Sequence, residues 1–322
     1  MPKGQKLQER FITVCRTRHL AISTEREYWH WVRKFIHFHG IKTEAELLQE
    51  PERKFSDFIS AESRRGVAAS TQNQAWSALL LLYRDVQRIK LQAIPEAHHA
   101  RRPARLPDVP ATHADTIKLI ETVSGDVGFC LRLIYGSALR VSDALRIRLQ
   151  DVDFADGVIV IRESKGGKDR VVPLPKQVEA ELRLLVARRE VEHHADLKSG
   201  RGWVYLPGLL GRKNPRLHEH TGWQYLFASR AFSTDPKSGR MGRHHLTPET
   251  VQNALRHACR SLGLRQRITP HSLRHASARE MERRGSAISE IQKTLGHRDV
   301  ETTMRYLGAG SGGKPKVISP LD

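Results

Sequence analysis

Apolar positions in the first part of the chain recur at three- and four-residue steps, the period that gathers side chains on one face of a helix. Leu7, Phe11, Val14 and Cys15 make one such face. A second follows in Tyr28, Trp31, Phe35 and Phe38, with Thr24 and Glu27 spaced as a capping box ahead of it. Phe55, Phe58 and Ile59 predict a third helix, and Trp76, Leu79, Leu80 and Tyr83 a fourth, after a turn at Arg65-Gly66. Four such stripes can bury one another, so residues 1–93 are expected to form a small helical bundle with its aromatics in the core.

The pattern breaks at residues 94–110. Pro95, Pro103, Pro107 and Pro110 stop helix and strand, while His98, His99, Arg101, Arg102 and Arg105 keep the segment solvated. This reads as a linker, either a plain tether or one that lies along a phosphate backbone. A second domain, 111–307, opens with helical spacing through Ile117, Leu119, Ile120 and Val123, then from Phe129 to Tyr135. The period then changes. Val158 to Ile161 and Arg170 to Pro173 flank Lys165-Gly166-Gly167-Lys168, a hairpin whose lysine-bearing tip is either a solvated turn or a probe for a DNA groove. A helix from Lys176 to about His194 precedes a segment at about 195–247, rich in aromatics, Gly and His. Its length predicts internal structure and a purpose.

Composition narrows the class. With 322 residues, 39% of them hydrophobic, the chain can bury two modest cores. Lys and Arg number 54 against 35 Asp and Glu, a formal charge of +19, which points to a polyanionic partner. No apolar run approaches the ~18 residues of a membrane span and the start lacks a signal-type core, so a cytoplasmic protein with no membrane partner is expected. Cys15, Cys130 and Cys259 lie far apart without CxxC, which predicts buried thiols and no disulfides. Adjacent histidines such as His193-His194 lack ligand spacing, so neither metal nor cofactor is expected.

The candidate chemistry sits near the carboxyl end. In Thr269-Pro270-His271-Ser272-Leu273-Arg274-His275, helical winding puts His271, Arg274 and His275 on one face. Gly296 ends the next apolar run, and Asp299 is a candidate N-cap for a helix carrying Thr302, Thr303 and Tyr306. A phenol, with its pKa near 10, becomes a nucleophile only beside a base and a cationic pocket. Arg140 and Asp143, three apart, taken alone read as an i, i+3 ion pair on a helix surface.

Arg140 in G-S-A-L-R, Lys165 in K-G-G-K, His271 and Arg274 in H-S-L-R-H, His297 in L-G-H and Tyr306 in T-T-M-R-Y resemble, in order and context, the catalytic set of the tyrosine site-specific recombinases, or phage integrases. The resemblance covers nearly the whole chain. It implies a mainly α fold: an N-terminal four-helix SAM-like core-binding bundle and a catalytic domain with a small antiparallel sheet, together a C-shaped clamp around DNA. It implies Tyr306 as nucleophile, forming a 3′-phosphotyrosyl intermediate without metal or ATP. Arg140 and Arg274 would hold the phosphate oxygens, His271 and His297 share proton transfer and Lys165 protonate the departing 5′-oxygen, with Asp143 and His275 as accessory, orienting residues.

Within that family, Leu226 to Arg230, Asp235-Pro236, Arg240, Arg243 to His245 and the ending Ser319-Pro320-Leu321-Asp322 resemble integron integrases, with the extra segment as their insertion. Those enzymes recombine a cassette site folded from one DNA strand, attC, with a double-stranded attI. Trp223, Pro236, His244 and His245 match the positions that contact bases outside the helix, although Trp223 also reads as core. Residues 308–322 would dock in trans on a neighbour, giving a homo-tetramer on two DNA sites in the bacterial cytoplasm, at the nucleoid. Two departures stand out: Gly308, Gly310, Gly312 and Gly313 disfavour helix after Tyr306, and Ala276 to Arg279 replace a bulkier run, which predicts looser packing behind the pocket. The alternatives are a phage- or Xer-type recombinase of duplex sites, and a DNA-binding protein that has lost strand exchange.

Overall fold

The computed structural model describes residues 6–92, 112–164, 168–235, 238–296 and 319–321. Lys165, Pro236, His297 and Tyr306, the Asp299 cap, the linker between Ile94 and Pro110 and the glycine run after Tyr306 lie outside the described residues. The chain forms two compact units, residues 1–105 and 106–322.

The first unit contains α1 (Leu7–Thr17), α2 (Ile22–Phe38), α3 (Glu44–Leu48), α4 (Pro51–Arg64) and α5 (Ala69–Leu80), the last continuing as a π-turn at Leu81–Val86. The predicted capping box at Thr24 does not form. Helix α2 starts three residues earlier, on Ala21, without a side-chain cap. The unpredicted α3 is capped by Thr43, whose side chain accepts from the Glu46 N–H. The aromatic stripes are core: Phe35 meets Phe58 edge-on at 5.5 Å, and Phe55 meets Trp76 at 4.7 Å. Tyr83 is buried among them and donates to the Leu47 carbonyl.

In the second unit, a capping box of Thr112 and Asp115 starts α6 (His113–Glu121). Helix α7 (Gly125–Gly136) is apolar nearly all round and therefore central. A short α8 (Val141–Leu145) leads into an antiparallel sheet of β1 (Val152–Asp153), β2 (Val158–Ser164) and β3 (Lys168–Pro173). Side chains alternate across β3: Val171 is 56% exposed and Val172 buried. Arg170, opposite Ile161, shares the inward face with Val172. After α9 (Lys176–Lys198) come α10 (Leu210–Lys213) and a hairpin of β4 (Ser233–Thr234) and β5 (Met241–Gly242). Then follow α11 (Pro248–Ser261), α12 (Pro270–Arg283) and α13 (Ile288–Leu295). Both units are mainly helical, and among the described residues the small antiparallel sheets lie in the second.

The small residues Ala276, Ser277 and Ala278 are buried. Helix α12 makes its main helix contact with α7. All three cysteines are buried free thiols. Ser319 and Leu321 pack onto this same chain: the Ser319 hydroxyl donates to the Gly136 carbonyl at 2.9 Å, and Leu321 is buried in the core of the second unit. A Cβ at Gly136 would stand 2.6 Å from Pro175 and 2.8 Å from Leu321, so only glycine allows this seat. Arg284 holds the Ser319 carbonyl, anchored in turn by Glu280, whose carboxyl is lowered to about 2 by Arg283 and Arg284.

Candidate active site and nucleic-acid interface

Thr269 caps α12 by accepting from the Ser272 N–H, and Pro270 occupies the first turn, so the helix begins three residues before Leu273. That start puts His271, Arg274 and His275 on one face. The His271 and His275 Nε2 atoms lie 3.2 Å apart, rings edge-on. Arg274 is fully buried. Its guanidinium donates to the Ala138 carbonyl at 2.7 Å and the Leu295 carbonyl at 2.5 Å, tying α12 to the loop before Arg140 and to the end of α13. Ala138 adopts φ +50°, a conformation that costs about 1–3 kcal/mol in a residue other than glycine and must be held by its surroundings.

Arg140 is the N-cap of α8, its side chain 22% exposed and its Nη1 3.5 Å from the buried Asp143 carboxylate. The pair is therefore not a solvated surface contact. Asp143 also receives Arg170 Nη2 at 2.7 Å, and Arg170 Nε donates to the Thr294 carbonyl at 3.1 Å. The residue next to His297 is Gly296, at φ +64°, where an added Cβ would come within 3.0 Å of the Arg170 side chain. The His271 residue is exposed, yet its ring is partly desolvated by its neighbours. That desolvation, then the charges of Arg274 and Arg140, hold its pKa below the usual 6.5. The neutral imidazole is thus the resting form at pH 7.

The segment following α9 builds a second site. Residues 224–228 run antiparallel to the chain at 147–149 and to that at 244–246, with Leu226 N–H donating to Ile147 and Leu246 N–H to Phe227. Arg148 underlies the arrangement. It is buried, donates to the Trp223 carbonyl at 2.8 Å and the Tyr205 carbonyl at 3.0 Å, and stacks 3.6 Å from the Tyr225 ring centroid. Arg243 forks onto Asp196 at 2.6 and 3.0 Å and fastens the segment to α9.

The result is a cavity of about 300 Å³ lined by Tyr205, Trp223, Tyr225, His244 and His245, with the buried Arg148 in its wall and the exposed Arg146 and Arg162 at its rim. Trp223 is only partly buried: it packs on Val204, Leu206 and Tyr225 and also lines the cavity. Arg162 stands 5.8 Å above the Trp223 ring, its Nε on the buried Asp151 at 2.5 Å. His245 is lowered to about 4 by burial and by nearby His244, Arg146 and Arg148.

Of the expected catalytic set, Arg140, His271 and Arg274 and the accessory Asp143 and His275 fall in one linked cluster. Trp223, His244 and His245 share the cavity. Sequence reasoning missed Arg148 and Arg170. The alternation of β3 could have exposed the second, because an inward strand position held by arginine needs a buried acid.

Residues 115–310 match the phage integrase family, and residues 7–93 match the phage integrase N-terminal SAM-like domain. The chain is 38% identical to an integrase/recombinase of Escherichia coli over 94% of its own length and 89% of the relative's. It is 26% identical to the tyrosine recombinase XerA of Pyrococcus furiosus, over 92% and 87%. Its fold resembles the Tn1549 transposon integrase in complex with transposon right-end DNA, with TM-score 0.63 and 15% identity over 95% and 96% of the two chains. It also resembles a lambda integrase dimer bound to a core site, with TM-score 0.62 and 17% identity over 94% of each. This chain belongs to the phage integrase family of tyrosine recombinases, DNA strand transferases that carry out site-specific recombination.

Proposed function

We propose that this recombinase is an integron integrase, capturing and excising gene cassettes by joining a folded single-stranded attC site to a double-stranded attI site. The observation that carries the reading is the aromatic cavity around Trp223. A base left outside an imperfect hairpin exposes a π-face and a hydrogen-bonding edge. Stacking on an aromatic side chain is worth about 1–3 kcal/mol per base. Trp223 offers the ring, His244 and His245 the polar edge, and the arginine rim the phosphate contacts, with Pro236 completing the set.

In the chemistry we assign, the Tyr306 oxygen attacks the scissile phosphorus, losing its proton toward His271 or His297. The bond to the 5′-oxygen breaks as Lys165 supplies that oxygen's proton. Arg140 and Arg274 stabilise the charge on the non-bridging oxygens. A 5′-hydroxyl from the second strand then attacks the phosphotyrosine and releases the phenol, so bond energy is conserved without ATP. Asp143 and His275 orient this set. The partner is DNA, and four protomers assemble on two sites, each tail leaving its own Gly136 seat for the matching seat on a neighbour.

A nicked suicide duplex, carrying a site selected from a random library with the wild-type protein, tests the chemistry. The expected result is a protein–DNA adduct that survives denaturing electrophoresis and maps to the Tyr306 peptide. Selected imperfect hairpins test the substrate. Trp223→Ala should weaken binding to hairpins with looped-out bases about 10–100-fold and binding to paired duplex less than threefold; equal losses would favour the other reading, a duplex-only Xer-type enzyme, which the match to XerA along most of both chains supports.

His271 adds a pH signature. Because its pKa is depressed, protonation and loss of the neutral ring come only as pH falls clearly below 6.5. A histidine-resolved NMR titration should place its midpoint below 6.5 and move it upward in Arg140→Gln, where a repelling charge is gone. A wild-type midpoint at or above 6.5 would contradict the assignment.

A further inference from the structure

We propose that Arg170 is a positioning residue for strand cleavage, fixing Arg140 on the scissile phosphate and linking three catalytic elements. The inference rests on the reading of Arg140 as a phosphate clamp.

Its placement carries the argument. Arg170 lies on β3, the strand that returns from the hairpin holding Lys165. Its side chain is only 9% exposed on the inward face, where the alternation calls for an apolar residue. One guanidinium nitrogen holds Asp143 at 2.7 Å, and the same carboxylate oxygen lies 3.5 Å from Arg140 Nη1. A second nitrogen holds the Thr294 carbonyl in the last turn of α13, and the aliphatic stem passes Gly296 where no Cβ would fit without displacement. One side chain thus ties the hairpin, the Arg140 turn and the approach to His297.

The chemistry explains why an arginine is suited to this place. Asp143 would otherwise pair fully with Arg140 and draw its guanidinium from the phosphate. Sharing the carboxylate with Arg170 satisfies the buried acid while holding Arg140 at the longer distance of 3.5 Å. The planar fork also reaches a carboxylate and a carbonyl in different directions, which a lysine cannot match.

The test is single-turnover cleavage of the selected suicide duplex with either a normal scissile phosphodiester or a methylphosphonate. In the latter a methyl group replaces one charged oxygen, so a correctly aimed Arg140 matters less. Arg170→Gln should slow phosphodiester cleavage about 100-fold and methylphosphonate cleavage less than about fivefold, the selectivity that Arg140→Gln itself should show. Arg170→Lys, which keeps the buried charge, should show the same selectivity at about 10-fold and decides the matter if the glutamine variant fails to fold. Equal losses on the two substrates, or no loss, overturn the proposal. If Arg140→Gln shows no such selectivity, or the wild type forms no adduct, the underlying clamp reading fails instead.

Discussion

Arg274→Lys should lower single-turnover cleavage by about 10³-fold or more while DNA affinity falls less than about threefold. The guanidinium donates to the Ala138 and Leu295 carbonyls, at 2.7 and 2.5 Å, from a position with no solvent exposure. Those bonds aim the group as well as stabilise it. A lysine ammonium is a single point on a flexible stem and cannot span two carbonyls approaching from different elements. It would satisfy one and leave the other buried without a partner, at a cost of about 1–3 kcal/mol, so the melting temperature should fall as well. Losing one preorganised donor at a developing oxyanion typically costs 10²–10³ in rate, and here both the fork and its aim are lost. Affinity changes little because one phosphate contact among many contributes modestly to binding in a protein of charge +19. Stopped-time adduct formation, a binding titration at fixed salt and thermal melting separate the three effects. Cleavage within tenfold of wild type would mean that Arg274 is a structural strut.

How much of this was legible beforehand depended on where the ordering forces act. The stripes Phe11-Cys15 and Trp31-Phe35 announced their helices because burial there repeats with the local period, and His271, Arg274 and His275 share a face for the same reason. The start of α2 was misplaced because Thr24-Glu27 has the right local spacing, yet Glu25 is drawn inward and the helix enters earlier. Arg148 and Arg170 were invisible in a reading that assigns charge to the surface, since each is held by partners far along the chain, among them Trp223, 75 residues from the first, and Thr294, 124 residues from the second. Likewise the cavity depends on residues 224–228 threading between segments at 147–149 and 244–246, pairing that no local period encodes. The residue types of the candidate site were readable, whereas the buried arginines that tie its elements together required tertiary structure.

Tyr306→Phe should abolish the covalent adduct, by more than about 10⁴-fold, while leaving DNA affinity within about twofold and its salt dependence unchanged. The substitution removes one oxygen, the atom that would carry the ester to the 3′-phosphate, and keeps the ring. Affinity is set by lysine and arginine contacts to the phosphate backbone, which a phenyl ring does not alter. The other five tyrosines offer little competition. Tyr83 and Tyr135 are buried with their hydroxyls engaged by the Leu47 carbonyl and His113, and burial pushes both phenols further from ionisation. Tyr225 lies buried beneath Arg148, its phenol raised by the same desolvation. Tyr28 belongs to the first unit, and Tyr205 lines the base-sized cavity. Denaturing electrophoresis of the suicide-substrate reaction therefore gives a sharp outcome. A persistent adduct in Tyr306→Phe would shift the nucleophile to one of the two open phenols, with Tyr205→Phe as the next variant to make. An adduct lost together with DNA binding would instead mark Tyr306 as a residue the interface needs for its shape.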